Sequence, residues 1–125
     1  MNALRRIHAA LVPHGIVVDT QPVSAWPPVT TPAGEQGALD MRGWTELIAA
    51  VDERVAMVVG DGLFAAETKP SFVVADTFDS GPALVETVSN WQGTAVPPAL
   101  AARLAGHRGT VQVHQEVRLR LLRAL

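Results

Sequence analysis

The sequence has no cysteine and no tyrosine, and Lys69 is its only lysine. Without cysteine, the chain can form no disulfide, use no thiol nucleophile and hold no cysteine-ligated zinc. Ten basic residues against twelve acidic residues give a formal net charge of −2, which is too small for a protein that clamps nucleic acid by charge. No apolar run approaches the roughly 20 residues of a membrane-spanning helix. We therefore expect neither nucleic acid nor a membrane as a partner.

The length and the amino-acid usage indicate a small globular protein. The 125 residues predict one domain, residues 1–125, and the 48% apolar content is enough for a core. The abundance of alanine, valine and arginine is typical of a GC-rich bacterial genome. Residues 1–6 are not followed by the apolar segment of a secretory signal, so we expect a cytoplasmic protein.

Hydrophobic periodicity predicts helices and strands along most of the chain. Apolar residues recur at helical spacing in four segments, residues 4–11, 45–59, 82–91 and 97–105. Apolar runs predict strands at residues 16–21, 39–42, 63–66 and 71–78. We expect Asp79 or Ser80 to cap the third helix, and Gly60 and Gly62 to end the second.

The last predicted strand, residues 110–121, has the clearest pattern. Its polar and apolar residues alternate over twelve positions, and only Gln115 interrupts the apolar side. Such alternation is typical of a strand with one buried and one polar face. At roughly 3.3 Å per residue, this strand would span about 40 Å.

Residues 22–37 are predicted as one long loop because they are rich in proline and glycine. Loops of this length are uncommon in compact domains unless they serve a function or move. Trp26 lies inside the loop. We favour the interpretation that Trp26 pins the loop to the core; the alternative is that it stacks against a ligand.

The segment Leu4–Val18 resembles a segment of class I S-adenosylmethionine-dependent methyltransferases. In that family an amphipathic helix ends in a Leu-x-Pro-Gly-Gly turn and leads into the fifth strand of the sheet. Here Leu11-Val12-Pro13-His14-Gly15 is similar to that turn, although His14 stands where the family usually has glycine. A residue other than glycine is disfavoured there if the position needs a positive φ, but histidine is among the better tolerated types.

The resemblance implies how the rest of the chain is arranged. Residues 45–59 would be the helix before the sixth strand, residues 71–78 the sixth strand, and residues 111–121 the seventh. In that family the seventh strand runs antiparallel between the fifth and the sixth. We therefore expect the α/β class in the form of an α+β-like half-sheet. It would be a mixed sheet of about three to four strands, with a long antiparallel C-terminal strand and helices mainly on one face.

The resemblance covers the whole chain but only the C-terminal half of the family's fold. The family holds its cofactor with a glycine-rich turn after the first strand and an acidic residue at the end of the second. The only Gly-x-Gly here, Gly60-Asp61-Gly62, lies between a predicted helix and a strand, which is the wrong order. We therefore expect no cofactor-binding residue and no cofactor for the isolated chain. S-adenosylmethionine is expected only if a partner chain supplies the missing half.

His114 and Glu116 project from one face of the last predicted strand, two residues apart. With an acidic partner across the sheet, either Asp76 or Asp19, they could form a general acid/base pair or the beginning of a metal site. We favour a polar strand face with cross-strand pairs, because two ligands without a third do not make a site. His114, Glu116 and Asp76 are thus the candidate catalytic residues, and no metal site is predicted.

Three arginines, Arg118, Arg120 and Arg123, follow on the same strand. Arginine binds carboxylates and phosphates in a forked geometry, so this strip could bind an anion or another chain. We favour ion pairs with carboxylates of neighbouring strands. The expected partners are Glu116, Glu67 and Asp76.

The missing half of the fold leads to three hypotheses about function. Strand 16–21 would lack its usual neighbour, and an uncovered strand edge invites pairing with another chain, most simply in a homodimer. We favour a non-catalytic homodimeric accessory module. The second hypothesis is half of a split methyltransferase that an N-terminal partner chain completes. The third is an independent small enzyme or ligand-binding protein that uses the Trp26 loop and the His114/Glu116 face.

Overall fold

The computed structural model describes residues 2–125, which form an α+β fold. The helices are α1 (Asn2–Ala10), α2 (Arg42–Gly60), α3 (Gly81–Val88) and α4 (Pro98–Leu104). The strands are β1 (Ile16–Pro22), β2 (Pro28–Thr31), β3 (Gly34–Ala38), β4 (Phe64–Thr68), β5 (Phe72–Phe78) and β6 (Val111–Ala124). No helix within residues 2–125 is long and apolar enough to cross a membrane.

The long strand β6 lies in the centre of the sheet. On one side it pairs with β1 and β2, and on the other side with β4 and β5, always antiparallel. Among the strands of residues 2–125, β3 pairs only with β2 and forms the outer strand of that side. The predicted class and the long antiparallel C-terminal strand are therefore confirmed. β6 pairs antiparallel with both β1 and β5, but with β1 along residues 117–123 and with β5 along residues 111–117, so the two strands flank different halves of β6.

The sheet has six strands rather than the expected three or four, and all its hydrogen-bonded pairs are antiparallel. The number is higher because β6 is long enough, at fourteen residues, to pair with two strands in line on each side. The pairs of β6 are antiparallel because β1, β2, β4 and β5 run in one direction and β6 lies between them in the other, and the β2–β3 pair is a hairpin.

Residues 22–37, predicted as a loop, contain most of a β-hairpin. β2 begins at Pro28, and proline is tolerated as the first residue of a strand because its missing N–H is not needed there. Thr31 pairs with Gly34 across a two-residue turn. Residues 39–42, predicted as a strand, make only a single bridge, between Asp40 and Ala95. The prediction of a loop was wrong because the prolines within residues 27–32 are typical of loops, whereas residues 28–31 form a strand.

The four helices cover opposite faces of the sheet rather than mainly one face. Antiparallel partners point their side chains to the same face, and successive residues alternate. Val111 and Val113 of β6 pack with Leu84, Val88 and other residues of α3 and α4. Leu122 and Ala124, which have the other parity, pack with residues of α1 and α2. We call the face of Val111 and Val113 the odd face, and the face of Leu122 and Ala124 the even face.

Because each face is covered along only half of β6, the strand changes its buried side. Val111, Val113 and Gln115 are buried near its start, whereas Arg120, Leu122 and Ala124 are buried near its end. The sequence predicts one buried and one polar face along the whole strand. That prediction was wrong in the second half, because α1 and α2 cover the even face there.

Two local predictions are confirmed at turns. His14 adopts a φ of 64°, the left-handed conformation that its position between α1 and β1 requires. The Ser80 hydroxyl accepts a hydrogen bond from the Ala83 N–H at 3.1 Å and so caps α3, with Pro82 in the first turn.

Candidate functional site

The structure does not bring the three candidate catalytic residues together. His114 and Glu116 lie on the even face, as expected, but Asp76 lies opposite Val113 on the odd face. His114 Nε2 is 2.9 Å from the hydroxyl of Thr30, and the Ser71 hydroxyl donates to Glu116 at 2.8 Å. His114 and Glu116 thus each form a side-chain hydrogen bond with a neighbouring segment. A catalytic role for His114, Glu116 and Asp76 remains a prediction.

A metal site at these residues also lacks support from the geometry. Within residues 2–125 no three histidine or carboxylate side chains come together in a group that could hold a metal ion. The second half of the even face instead carries a network of two arginines and two aspartates.

Arg118 and Arg120 pair with Asp19 of β1 and Asp52 of α2. Arg118 donates two hydrogen bonds to Asp52, at 2.9 and 3.0 Å. Arg120 donates to Asp19 at 2.6 and 3.1 Å and lies 3.2 Å from Asp52. The hydrogen bonds from Arg118 lower the pKa of the Asp52 carboxyl, and Asp52 in turn raises the pKa of Arg118. Both guanidinium groups are thus paired with carboxylates. Because Asp52 belongs to α2 and the arginines belong to β6, the network holds α2 on the sheet.

Arg118 and Arg120 form ion pairs, as we favoured, rather than an open anion site. Their partners are Asp52 and Asp19, however, and not the expected Glu116, Glu67 and Asp76. Periodicity could not show that Asp52 projects from α2 onto this face. Arg123 lies on the odd face, exposed, opposite Ile16 on one side and Ala65 on the other. It adds a small contribution to the low pKa of Glu67, after the larger effect of Lys69.

Trp26 does not pin its segment to the core. Its side chain is 50% exposed, and the Arg42 guanidinium lies 5.1 Å from the centre of its ring. That distance is within the range of a cation–π interaction. The pinning role belongs to Trp44, whose Nε1 donates to the Pro22 carbonyl at 3.1 Å.

A cavity of about 300 Å³ lies on the odd face, where the cover provided by α3 and α4 ends. Its walls are mainly apolar, and Trp44 and Trp91 are among the residues that form them. The full lining is Pro22, Met41, Trp44, Asp76, Trp91, Gln92, Thr94 and Gln115. We call this cavity the tryptophan pocket.

Two polar side chains of the tryptophan pocket form a pair. Gln115 is only 7% exposed, and its amide donates to the Asp76 carboxylate at 3.0 Å. The two residues stand on neighbouring strands of the same face, because Val74 is the partner of Gln115 and Asp76 the partner of Val113. Within residues 2–125 no arginine, lysine or histidine forms an ion pair with Asp76.

The backbone next to the pocket is held by a close approach of two segments. The Trp44 N–H donates to the Gly93 carbonyl at 3.0 Å, and Gly93 has a φ of 67°. A Cβ at residue 93 would collide with the backbone of Gly43 and Trp44, so only glycine fits here. Trp91 is fixed in turn by Phe78, with 6.4 Å between the ring centres.

The sequence contained one signal for the pocket, namely Gln115, the single polar residue on the apolar side of the last strand. A glutamine at a buried position needs a hydrogen-bonding partner, and Asp76 provides it. Trp44 and Trp91 carried no signal, because their helical spacing fits core residues equally well.

Next to the pocket the odd face of the sheet is not covered by a helix. We call this region the open face; it consists of Ile16, Val18, Phe72, Val117, Leu119 and Leu121. Val18 is 63% exposed, Phe72 45% and Ile16 42%, although all three are large apolar residues. Contiguous exposed apolar surface is a feature of interaction sites.

The outer edge of β1 is also free. The Gly15 carbonyl and the Val23 N–H both bond to β6, so the alternating pattern directs Val17, Asp19 and Gln21 toward β6. The N–H and C=O groups of Ile16, Val18 and Thr20 therefore point away from β6. Within residues 2–125 the only strand that pairs with β1 is β6.

No protein-family model, curated protein sequence or solved structure matches this chain.

Proposed function

We propose that the chain is a non-catalytic interaction module that forms a homodimer through the free edge of β1. The observation that carries this proposal is the set of unpaired N–H and C=O groups on Ile16, Val18 and Thr20. Such an edge is a template for another strand, and antiparallel pairing of β1 with a second β1 is reciprocal, as a twofold axis requires. The compartment we propose is the cytoplasm.

The other long edge of the sheet is less suited to pairing. Between Thr68 and Phe72 the β4–β5 side advances four residues while β6 advances three, from Arg120 to Val117. This shift disrupts the edge, and Lys69 and Pro70 lie in it. A lysine, a proline and a register shift are features that discourage edge-to-edge association. β1 pairs with β6 without a shift and has no lysine, and its one proline is its last residue, Pro22.

The open face supports the same assembly. Ile16 and Val18 contribute their backbone to the free edge and their side chains to the open face. A β1–β1 pair would place the open faces of two copies side by side. The open face would then become a wider apolar surface, on which an accessory module could receive a further partner.

The substitution Val18→Pro tests the dimer directly. The N–H that proline removes points away from β6, so the pairing of β1 with β6 is preserved while the outer edge is blocked. In sedimentation equilibrium we expect twice the chain mass for the unmodified protein and for Val18→Thr, which keeps the N–H, and the single chain mass for Val18→Pro. If Val18→Pro does not fold, Val18→Lys provides the second test. A monomeric unmodified protein, or a dimer that survives both substitutions, would contradict the proposal.

The second candidate function is half of a split S-adenosylmethionine-dependent methyltransferase. The antiparallel pairing of β6 with both β1 and β5 supports it, because the resemblance implies these two pairings, although here they involve different halves of β6. This proposal needs a partner chain with a strand and a Gly-x-Gly turn, which would pair with the same edge of β1. Neither proposal expects the isolated chain to bind S-adenosylmethionine, so tight binding in a calorimetric titration would contradict both.

The third hypothesis, an independent enzyme or binding protein at Trp26, His114 and Glu116, gains no support from the cavity. None of these three residues lines the tryptophan pocket. His114 and Glu116 are engaged with neighbouring strands, and Trp26 is engaged with Arg42.

A further inference from the structure

The tryptophan pocket combines a carboxylate with aromatic walls. Asp76 is its only ionisable side chain, and the other lining residues are neutral. Within residues 2–125 the carboxylate forms no ion pair, and the only side-chain hydrogen bond it accepts is from Gln115. A partly buried carboxylate without a cation is unfavourable unless a ligand or water compensates its charge.

The aromatic walls, like the Asp76 carboxylate, favour a positively charged ligand. The face of an indole ring attracts a cation and is the best of the aromatic side chains in this respect. Both rings are held in place, Trp44 by its hydrogen bond to Pro22 and Trp91 by contact with Phe78. A site whose groups are already fixed loses little entropy when it binds.

We propose that the tryptophan pocket binds a small organic cation, an ammonium group on a short alkyl or aryl body. The Asp76 carboxylate would face the ammonium group, while Trp44 and Trp91 would contact its substituents. The volume of about 300 Å³ lies at the lower end of the range for ligand pockets, so it admits only a small molecule.

Two features set the orientation of the cation. Gln115 donates its amide to Asp76 and so fixes the direction of the carboxylate. Pro22 and Met41 form an apolar wall that offers the ammonium group no polar partner, and the polar lining residues Gln92 and Thr94 are uncharged. A neutral molecule of the same shape would meet the same walls but would leave the carboxylate uncompensated.

The test uses choline as the probe and 3,3-dimethylbutan-1-ol, its neutral isostere, as the control. Each is titrated into the full chain while the indole N–H resonances of the three tryptophans are followed by NMR. We expect choline to shift the signals of Trp44 and Trp91 saturably, with the Trp26 signal unchanged. We expect the isostere to bind about tenfold more weakly, which is the discrimination that a cation–π contact and one charge pair supply.

The variant Asp76→Asn should keep the fold, because asparagine can still accept the hydrogen bond from Gln115. It should bind choline about tenfold more weakly and discriminate less against the isostere. Glu35→Gln, which removes the charge of an exposed residue of β3, should leave choline binding unchanged. Equal binding of choline and its isostere, unchanged binding by Asp76→Asn, or no shift of Trp44 and Trp91 would overturn the proposal.

This proposal is independent of the dimer. Val18→Pro should leave choline binding unchanged, because Val18 does not line the tryptophan pocket.

Discussion

Asp19 lies directly opposite Arg120 across the β1–β6 pair, and Arg120 Nη2 donates to Asp19 Oδ2 at 2.6 Å. Both side chains are largely buried, with exposed fractions of 14% and 10%. Burial makes the pair costly to break, because the remaining charge would be left without a partner in a medium of low dielectric.

We expect Asp19→Ala to lower the free energy of unfolding by about 3 kcal/mol, at the lower end of the range for a broken buried pair. The loss stays at the lower end because Asp52 still lies 3.2 Å from Arg120. Asp52→Ala should cost less, because the Asp52 side chain is 36% exposed. Urea unfolding measures both values, and a larger loss for Asp52→Ala would contradict this ranking.

The stability should depend on pH through Asp52. The hydrogen bonds from Arg118 lower its pKa in the folded protein below the ordinary value of 3.8. Its contribution is therefore complete above pH 3.8 and is lost as the pH falls through the lower, folded pKa. The difference in unfolding free energy between the unmodified protein and Asp52→Asn should shrink over this acidic window. Glu53→Gln, on the exposed side of the same helix, should leave the pH dependence as it is.

The change of buried side along β6 predicts opposite sensitivities for two adjacent leucines. Leu122 is 1% exposed and packs in the core under α1 and α2, whereas Leu121 belongs to the open face. We expect Leu122→Ala to cost about 3 kcal/mol in unfolding free energy, as buried leucines do. Leu121→Ala should cost about 1 kcal/mol or less. Thermal or urea unfolding of the two variants gives the comparison, and equal losses would show that both faces are covered.

Gly93 and Gly60 should respond in opposite directions to alanine. A Cβ at residue 93 collides with the backbone of Trp44, so Gly93→Ala should cost at least about 2 kcal/mol in unfolding free energy. Gly60 ends α2 with open space around its Cα, so Gly60→Ala should stabilise the protein by about 0.5 kcal/mol. Calorimetric unfolding checks both, and a neutral Gly93→Ala would show that the contact between residues 43–44 and 93 can relax.

Much of the fold could be predicted from the sequence, because helical spacing and alternation are local properties. The periodicity of α2 and the alternation of β6 indicated the correct elements, and Ser80 indicated the start of α3. The β2–β3 hairpin was missed because its two prolines, Pro28 and Pro32, are typical of loops as well as of strand ends. Which face a helix covers depends on tertiary packing, so the change of buried side along β6 could not be predicted.

The candidate site was less accessible to prediction, for a physical reason. His114 and Asp76 carry suitable chemistry, but residues on neighbouring strands share a face only when the register allows it. The register of β5 with β6 pairs Asp76 with Val113 and places His114 on the opposite face. A shift of one residue would have reversed this result, and no local pattern in the sequence fixes such a shift.

The central position of β6 has a consequence for the order of folding. Within residues 2–125 three earlier strands, β1, β4 and β5, pair only with β6, whereas β2 pairs with β6 and also with β3. During synthesis β1, β4 and β5 cannot join the sheet until β6 has left the ribosome, and their unpaired edges are prone to association meanwhile. Pairing over such long sequence separations also slows folding, because loop closure precedes any gain from contact. We therefore expect the protein to depend on chaperones in the cell, because β6 follows its partner strands in the sequence.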